Sequence, residues 1–160
     1  MKKRLISLTS LVILVAILHI SCSKEDNPPP AAKTKTKTEL ITTGTWKFEK
    51  AEAAILGDIS GSLEACNKDN TIAFTSTSNN KGTGIADEGG TKCNAANPQT
   101  VTFNWTLENN ETKLVSDKPL FPGGSGEFTI VSLTESNLVV SQPMTIPPVP
   151  TTTVTITLKH

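Results

Sequence analysis

From Glu39 onward, apolar and polar residues alternate almost one by one, and clusters of Gly, Asn and Asp interrupt the alternation at regular intervals. Successive side chains of a β-strand point to opposite faces, so this period predicts strands with one buried and one wet face, joined by tight antiparallel turns. The clearest case places Val101, Phe103, Trp105 and Leu107 on one face, and Thr100, Thr102, Asn104 and Thr106 on the other. Glu108-Asn109-Asn110-Glu111 then turns the chain into a strand around Lys113 to Ser116. Near the end, Val154, Ile156 and Leu158 alternate with Thr153, Thr155, Thr157 and Lys159. Further strands are predicted over Thr45 to Ala51, Thr71 to Thr75, Lys81 to Ala86, Gly126 to Leu133 and Asn137 to Gln142, which makes eight. Helical periodicity is weak throughout. Eight short antiparallel strands must hide their edges, either by closing into a barrel or by pairing as two sheets.

Two apolar segments do not fit the alternation. Asp117 to Gly124 and Pro143 to Pro150 are broken by proline, which lacks the N–H that a central strand needs, so both are predicted as loops. Their apolar tips, Phe121, Met144, Ile146 and Val149, have two readings. They form the mouth through which a ligand or partner is met, or they fold back and cap one end of the domain.

The first residues have a different texture. Lys2, Lys3 and Arg4 precede an apolar stretch from Leu5 to Ile20, which is too short for the roughly 20 apolar residues of a membrane-spanning helix and reads as a cleaved signal. A cysteine, Cys22, follows directly, as in lipoprotein processing, where the thiol is lipidated and becomes the first residue. Ser23-Lys24-Glu25-Asp26 resembles the tag that sends Bacteroidota lipoproteins to the outer face of the outer membrane. The segment up to Thr38 holds Pro28-Pro29-Pro30 and the Lys33-Thr34-Lys35-Thr36-Lys37-Thr38 repeat, with almost nothing to bury, and reads as a tether. The expected organisation is a signal peptide over 1–21, a lipidated, palmitate-bearing Cys22 with a disordered linker over 22–38, and one domain over 39–160. A domain of roughly 120 residues supports a single core.

Composition then excludes several functions. Of the 15 basic residues, Lys2, Lys3 and Arg4 leave with the leader, so 12 remain against 15 acidic ones, a net charge of −3. Nucleic acid is not an expected partner. Arg4 is the only arginine, so the processed chain has no bidentate clamp for phosphate or carboxylate. His19 also belongs to the leader, which leaves His160 as the single imidazole, and histidine-based nucleophilic catalysis or a histidine-rich metal site has nothing else to draw on. With Cys22 assigned to lipid, Cys66 and Cys93 remain as a pair. In an exported chain they are expected to form a disulfide worth roughly 3 to 4 kcal/mol in the chain-entropy model, zinc being the poorer alternative.

One wider pattern points to a family. Gly44-Thr45-Trp46-Lys47-Phe48 opens the first strand, followed by Cys66-Asn67-Lys68-Asp69-Asn70-Thr71-Ile72-Ala73-Phe74, by Asp87-Glu88-Gly89 before Cys93, and by Trp105-Thr106-Leu107. The first element resembles the Gly-x-Trp signature of lipocalins, and the whole resembles the lipocalin-like domains of Bacteroidota lipoproteins over roughly residues 39 to 160. The resemblance implies an all-β fold, a small eight-stranded antiparallel barrel with an internal cavity, and no enzyme activity. Many lipocalins lay an arginine across the first-strand tryptophan; the processed chain has none, so either Lys159 takes that place or, since a lysine stacks less well on an indole, the barrel base is built differently.

On this reading Trp46, Phe48, Val101, Phe103, Trp105, Phe128 and Ile156 are either the packed core or the walls of a ligand cavity. Asp69, Asp87 and Glu88 gather near the two cysteines. Calcium is conceivable there, but the spacing fits no EF-hand and Asp, Asn and Gly are what turns need, so solvated turns are the favoured reading. No cofactor or metal is expected. The functional expectation is a surface-tethered, non-catalytic binding module for an apolar or amphipathic small molecule, held on the outer membrane by the lipid on Cys22. The alternative is an interaction subunit with a filled barrel that meets a partner protein in the envelope.

Overall fold

The computed structural model describes residues 33–146 and 149–160; Cys22, the leader and most of the tether lie outside them. Nine strands form one sheet: β1 (Thr45–Ala53), β2 (Gly57–Asp58), β3 (Thr71–Ser78), β4 (Lys81–Asp87), β5 (Thr100–Glu108), β6 (Lys113–Ser116), β7 (Glu127–Leu133), β8 (Asn137–Ile146) and β9 (Val149–Lys159). β2 is a two-residue stub on β1. The other eight pair antiparallel in chain order, and β1 also pairs with β9, which closes the ring and leaves no long edge exposed. The sequence expectation of an eight-stranded antiparallel barrel holds.

Parity along β1 explains where its interior changes character. Trp46 and Phe48 point inward, but Glu49 is bulged out of the β1–β9 register, between Phe48↔Leu158 and Lys50↔Thr157. A bulge resets the alternation. Without it Lys50 and Glu52 would face the core; with it Ala51 and Ala53 do, each 2% exposed. Lys50 and Glu52 instead pair on the outside at 2.8 Å.

Glycine on β4 does related work. Gly84 lies opposite Phe103 and Gly82 opposite Trp105 on β5. A Cβ at Gly84 would collide with the Phe103 ring, and one at Gly82 with the Thr75 carbonyl. The bare backbone at Gly84 thus leaves room for the Phe103 ring, and that at Gly82 for the close approach of the β3 backbone; the Trp105 indole N–H donates to the Thr83 carbonyl at 2.9 Å. Phe74 meets both rings edge-on, at 5.6 and 5.8 Å between centroids. All three belong to the packed core with Leu114, Phe128, Leu138, Val140 and Leu158, and the void that Phe74 and these five share with Ile72, Leu120 and Phe121 measures only about 10 Å³.

A short helix, α1 (Lys37–Ile41), closes that end. Thr36 and Glu39 form a reciprocal capping box at its start, so the last residues of the Lys/Thr repeat, which read as tether, supply the cap and first turn. The Thr38 hydroxyl donates to Asn80 Oδ1 in the β3–β4 turn at 3.0 Å, and Lys37 Nζ donates to the Glu111 carbonyl in the β5–β6 turn at 2.7 Å. Ile41 is driven fully into the core, and its carbonyl accepts from the Trp46 indole N–H at 2.8 Å. Of the two alternatives for this end, the base is built differently: the group lying against Trp46 is not Lys159 but the His160 ring, at 3.9 Å between centroids. Lys159 points outward and pairs with Glu49 at 2.6 Å. A strand alternates its faces, so a lysine on the outer face could not reach the indole.

The segment Pro143 to Pro150 also departs from expectation. β8 and β9 continue as a two-stranded ribbon through Pro143↔Thr153, Met144↔Thr152 and Ile146↔Val149. Pairing with β7 ends at Ser141 and pairing with β1 ends at Val154, so each ribbon strand has a free edge. The Thr145 N–H points off that edge to the Gly123 carbonyl, and Pro143, two residues away, presents its N–H-less nitrogen to the same side. Proline is excluded from central strands and tolerated here.

Candidate functional site

At the end opposite α1 the interior is not filled. The β1–β2 turn, the 59–70 segment with α2 (Ala65–Lys68), the 88–99 loop, the 117–125 loop and the β8–β9 ribbon surround two adjoining chambers. The larger, of about 650 Å³, is walled by Ala51, Leu56, Ile59, Leu63, Met144, Val154 and Ile156. The smaller, of about 290 Å³, lies over Trp46, Phe103 and Leu158 and is walled by Val101, Ala86, Leu120 and a polar group: Asn67, Asn70, Asp87, Glu88, Asn97 and Lys118. Phe48, Asn67, Phe121 and Pro122 border both chambers.

The residues singled out from the sequence therefore divide. Trp46, Phe103, Trp105 and Phe128 are packed, none more than 1% exposed, with Trp46 and Phe103 also flooring the smaller chamber. Phe48, Val101 and Ile156 line chamber walls. Of the expected mouth-loop residues, Met144 is a strand residue, 8% exposed, facing the larger chamber, and Phe121 folds back over the barrel to meet Phe128 edge-on at 5.8 Å. Ile146 and Val149 pair across the ribbon rather than occupying a loop. The apolar groups that do stand in solvent at this rim are Ile55 and Leu56, 69% and 49% exposed, on the β1–β2 turn. Alternation assigned no role to Ala51, Ile59 or Leu63, because the first depends on the bulge and the others on segments without a period.

Cys66 on α2 and Cys93 in the 88–99 loop form a disulfide, with Cα atoms 5.1 Å apart. It staples two irregular segments into one wall, and Cys93 itself borders the smaller chamber. Glu64 lies close to both sulfurs, but joined sulfurs offer no thiolate to a metal.

The nearby acidic residues brace loops. Asp69 Oδ2 accepts from the Thr91 N–H at 2.9 Å, Asp87 Oδ1 from the Gly89 N–H and Gln99 Nε2, both at 2.8 Å, and Glu88 Oε1 from Asn97 Nδ2 at 2.9 Å. Gly89 takes a positive φ of 67° where a Cβ would strike the Asp69 backbone, so glycine is required at that turn. Across the mouth, Gln142 is 2% exposed. Its Oε1 accepts from the Ser125 N–H at 2.9 Å, which ties the 117–125 loop to β8. Asp117 starts that loop by accepting from the Asn104 N–H and Nδ2 at 2.8 and 2.7 Å, and these bonds hold its carboxyl below the usual carboxylate range.

Among solved structures, the fold is similar to that of Japanin from Rhipicephalus appendiculatus, a structure bound to cholesterol, with a TM-score of 0.51 and 13% identity over 79% of each chain. At that identity the likeness speaks to the fold. No curated protein matches the chain. The model of the lipocalin-like domain family matches residues 42–140, from just before the Gly44-Thr45-Trp46 motif to the middle of β8. With its closed eight-stranded ring, capped base and chambered mouth, the chain belongs to the lipocalin-like domain family.

Proposed function

We propose that this chain is a membrane-anchored, non-catalytic binding module for an apolar or amphipathic small molecule at the cell surface. The observation that carries the reading is the larger chamber, about 650 Å³ with mostly apolar walls, standing over a filled and capped base. A chamber of that size suits a drug-sized or lipid-sized guest, and burial of apolar area at about 25 cal/mol per Å² supplies the drive. Binding is passive: the rigid ring preforms the walls, and the 117–125 loop and the β8–β9 ribbon set access. The cholesterol held by Japanin, a protein of similar fold, is in keeping with an apolar guest. Anchoring rests on the leader and on Cys22 followed by Ser23-Lys24-Glu25-Asp26.

The test is titration with N-phenylnaphthylamine, a neutral probe that fluoresces on entering apolar cavities. Saturable uptake near one probe per chain is expected, and Ala51→Trp, which fills the larger chamber from β1, should abolish it while the circular dichroism stays β. A native protein that ignores the probe would sink the reading. Anchoring is tested separately by fatty-acid labelling, which Cys22→Ser should eliminate. A second reading, a subunit that meets an envelope protein, draws on Ile55 and Leu56 at the rim. Co-purification lost on Ile55→Ser, which lines neither chamber, with probe uptake intact, would favour it.

A further inference from the structure

Four residues border both chambers, and three of them, Phe48, Phe121 and Pro122, are apolar. The fourth is Asn67 on α2, so a guest lying across the junction meets apolar surface everywhere except at one carboxamide. The Asn67 backbone N–H is already spent on the Glu64 carbonyl at 3.0 Å, so the side chain holds the donors that the residue has left. Its Oδ1 lies 3.2 Å from Cys93 Sγ, itself on the wall of the smaller chamber, but a sulfur in a disulfide carries no hydrogen to donate. The Asn67 side chain has no other partner among the described residues, and its Nδ2 is not sealed away, as the partnerless Gln142 Nε2 is. The disulfide at its neighbour Cys66 fixes this segment, so the amide is positioned, reachable and free both to donate and to accept. The charged groups nearby serve the loops: Asp87 and Glu88 accept from Gly89, Gln99 and Asn97, and Lys118 Nζ donates to the Thr102 carbonyl at 2.6 Å.

That placement selects among guests by a neutral hydrogen bond and not by charge. A wholly apolar guest at the junction strips water from the amide and returns no hydrogen bond, which costs free energy. A guest with a hydroxyl, ketone, ester or amide at that level restores the bond, because a carboxamide both donates and accepts. We propose that Asn67 is the specificity-determining residue of the cavity: it holds the neutral hydrogen-bonding group of a guest whose apolar body lies in the larger chamber. This rests on the binding function proposed above and adds the class of ligand to it.

Calorimetric titration of the purified protein into naphthalene, 2-naphthol and 2-methoxynaphthalene at neutral pH compares one ring system with no polar group, with a donor and acceptor, and with an acceptor alone. Both substituted rings should bind roughly fivefold more tightly than naphthalene, as one neutral hydrogen bond predicts. In Asn67→Leu that preference should vanish while naphthalene binds at least as well. In Asn67→Asp, whose carboxylate only accepts, 2-naphthol should keep its preference and 2-methoxynaphthalene should lose it. The Asn67 side chain makes no hydrogen bond that the fold depends on, and Asn67→Asp stands in if Asn67→Leu fails to fold. No preference in the parent protein, a preference unchanged in Asn67→Leu, or the two substituted rings responding alike to Asn67→Asp overturns the assignment to Asn67 and leaves the cavity function standing. Failure of all three rings and of N-phenylnaphthylamine to bind overturns both.

Discussion

The two ends of this barrel are built from the same eight strands and differ in the size of the residues sent inward. Toward the base, Phe74, Phe103, Trp105, Phe128 and Leu158 are all but fully buried in one packed core, and the void bordered by Phe74, Phe128 and Leu158 measures only about 10 Å³. At the mouth, the inward positions of the same strands carry Ala51, Ala53, Ala86 and Val154, and the chambers open. The bulge at Glu49 marks the change on β1, and Gly84 marks it on β4, since its bare backbone leaves room for the Phe103 ring. A closed ring of fixed strand number has a nearly fixed interior width, so side-chain size, level by level, decides where space remains. Rigidity and capacity are thereby separated along one axis.

The strongest way to break that separation is to empty the base. Trp105→Ala should cost about 3 to 5 kcal/mol, because the ring is 1% exposed, is packed against Phe74 and donates to Thr83. Phe48→Ala, a half-buried wall residue bordering both chambers, should cost clearly less and should show its effect in probe affinity instead. Denaturant titration with parallel probe binding measures both. Equal losses of stability would mean that the mouth is as much a core as the base.

Next in size is the staple at the mouth. The double change Cys66→Ala with Cys93→Ala should lower stability by about 2 to 4 kcal/mol, from the release of a constrained loop. The ring does not depend on it, since the eight strands pair without either residue. The variant should therefore keep its β circular dichroism, unfold earlier in denaturant and show increased amide exchange confined to 64–70 and 88–99. Exchange spreading into β7 or β8 would place the disulfide in the base's stability and not in the mouth's.

Legibility followed the same division. Where a side chain's inward direction follows from simple alternation, as for Phe103 and Trp105 on β5 or Val154, Ile156 and Leu158 on β9, the sequence alone located it. It failed at each point where geometry departs from strict period two. The Glu49 bulge hid Ala51 and Ala53 as interior positions, and the proline-bearing ribbon was read as a loop because its free edge cannot be seen from composition. Composition showed only that no arginine could cover Trp46; that His160 does so, with Lys159 outside, was not readable from it. The Cys66–Cys93 disulfide was readable by cysteine count, but its place in a chamber wall was not, because 59–70 and 88–99 have no period to anchor them.

The smallest expected effect sharpens the boundary between ring and mouth. Asp117 is the hinge between β6 and the 117–125 loop, and its carboxylate accepts two hydrogen bonds from Asn104. The backbone N–H and then the side-chain amide of Asn104 lower its pKa from the ordinary value, while desolvation opposes them weakly. A depressed folded-state pKa contributes stability that is fully present above the unfolded carboxylate range and is lost as pH falls through the folded value. Asp117→Asn should thus be slightly less stable than the parent protein at neutral pH, and the difference should shrink to nothing in acid. Because the group is solvent-exposed the gap will be small, and the comparison must be made by denaturant titration at a series of pH values in low salt. Leu120 and Phe121 hang from this hinge onto the chamber wall, so probe affinity should fall along with stability. A stability difference that persists unchanged in acid would show that the carboxylate's charge plays no part, and that the loop is held by its other contacts, Gln142 and the packed Phe121 among them.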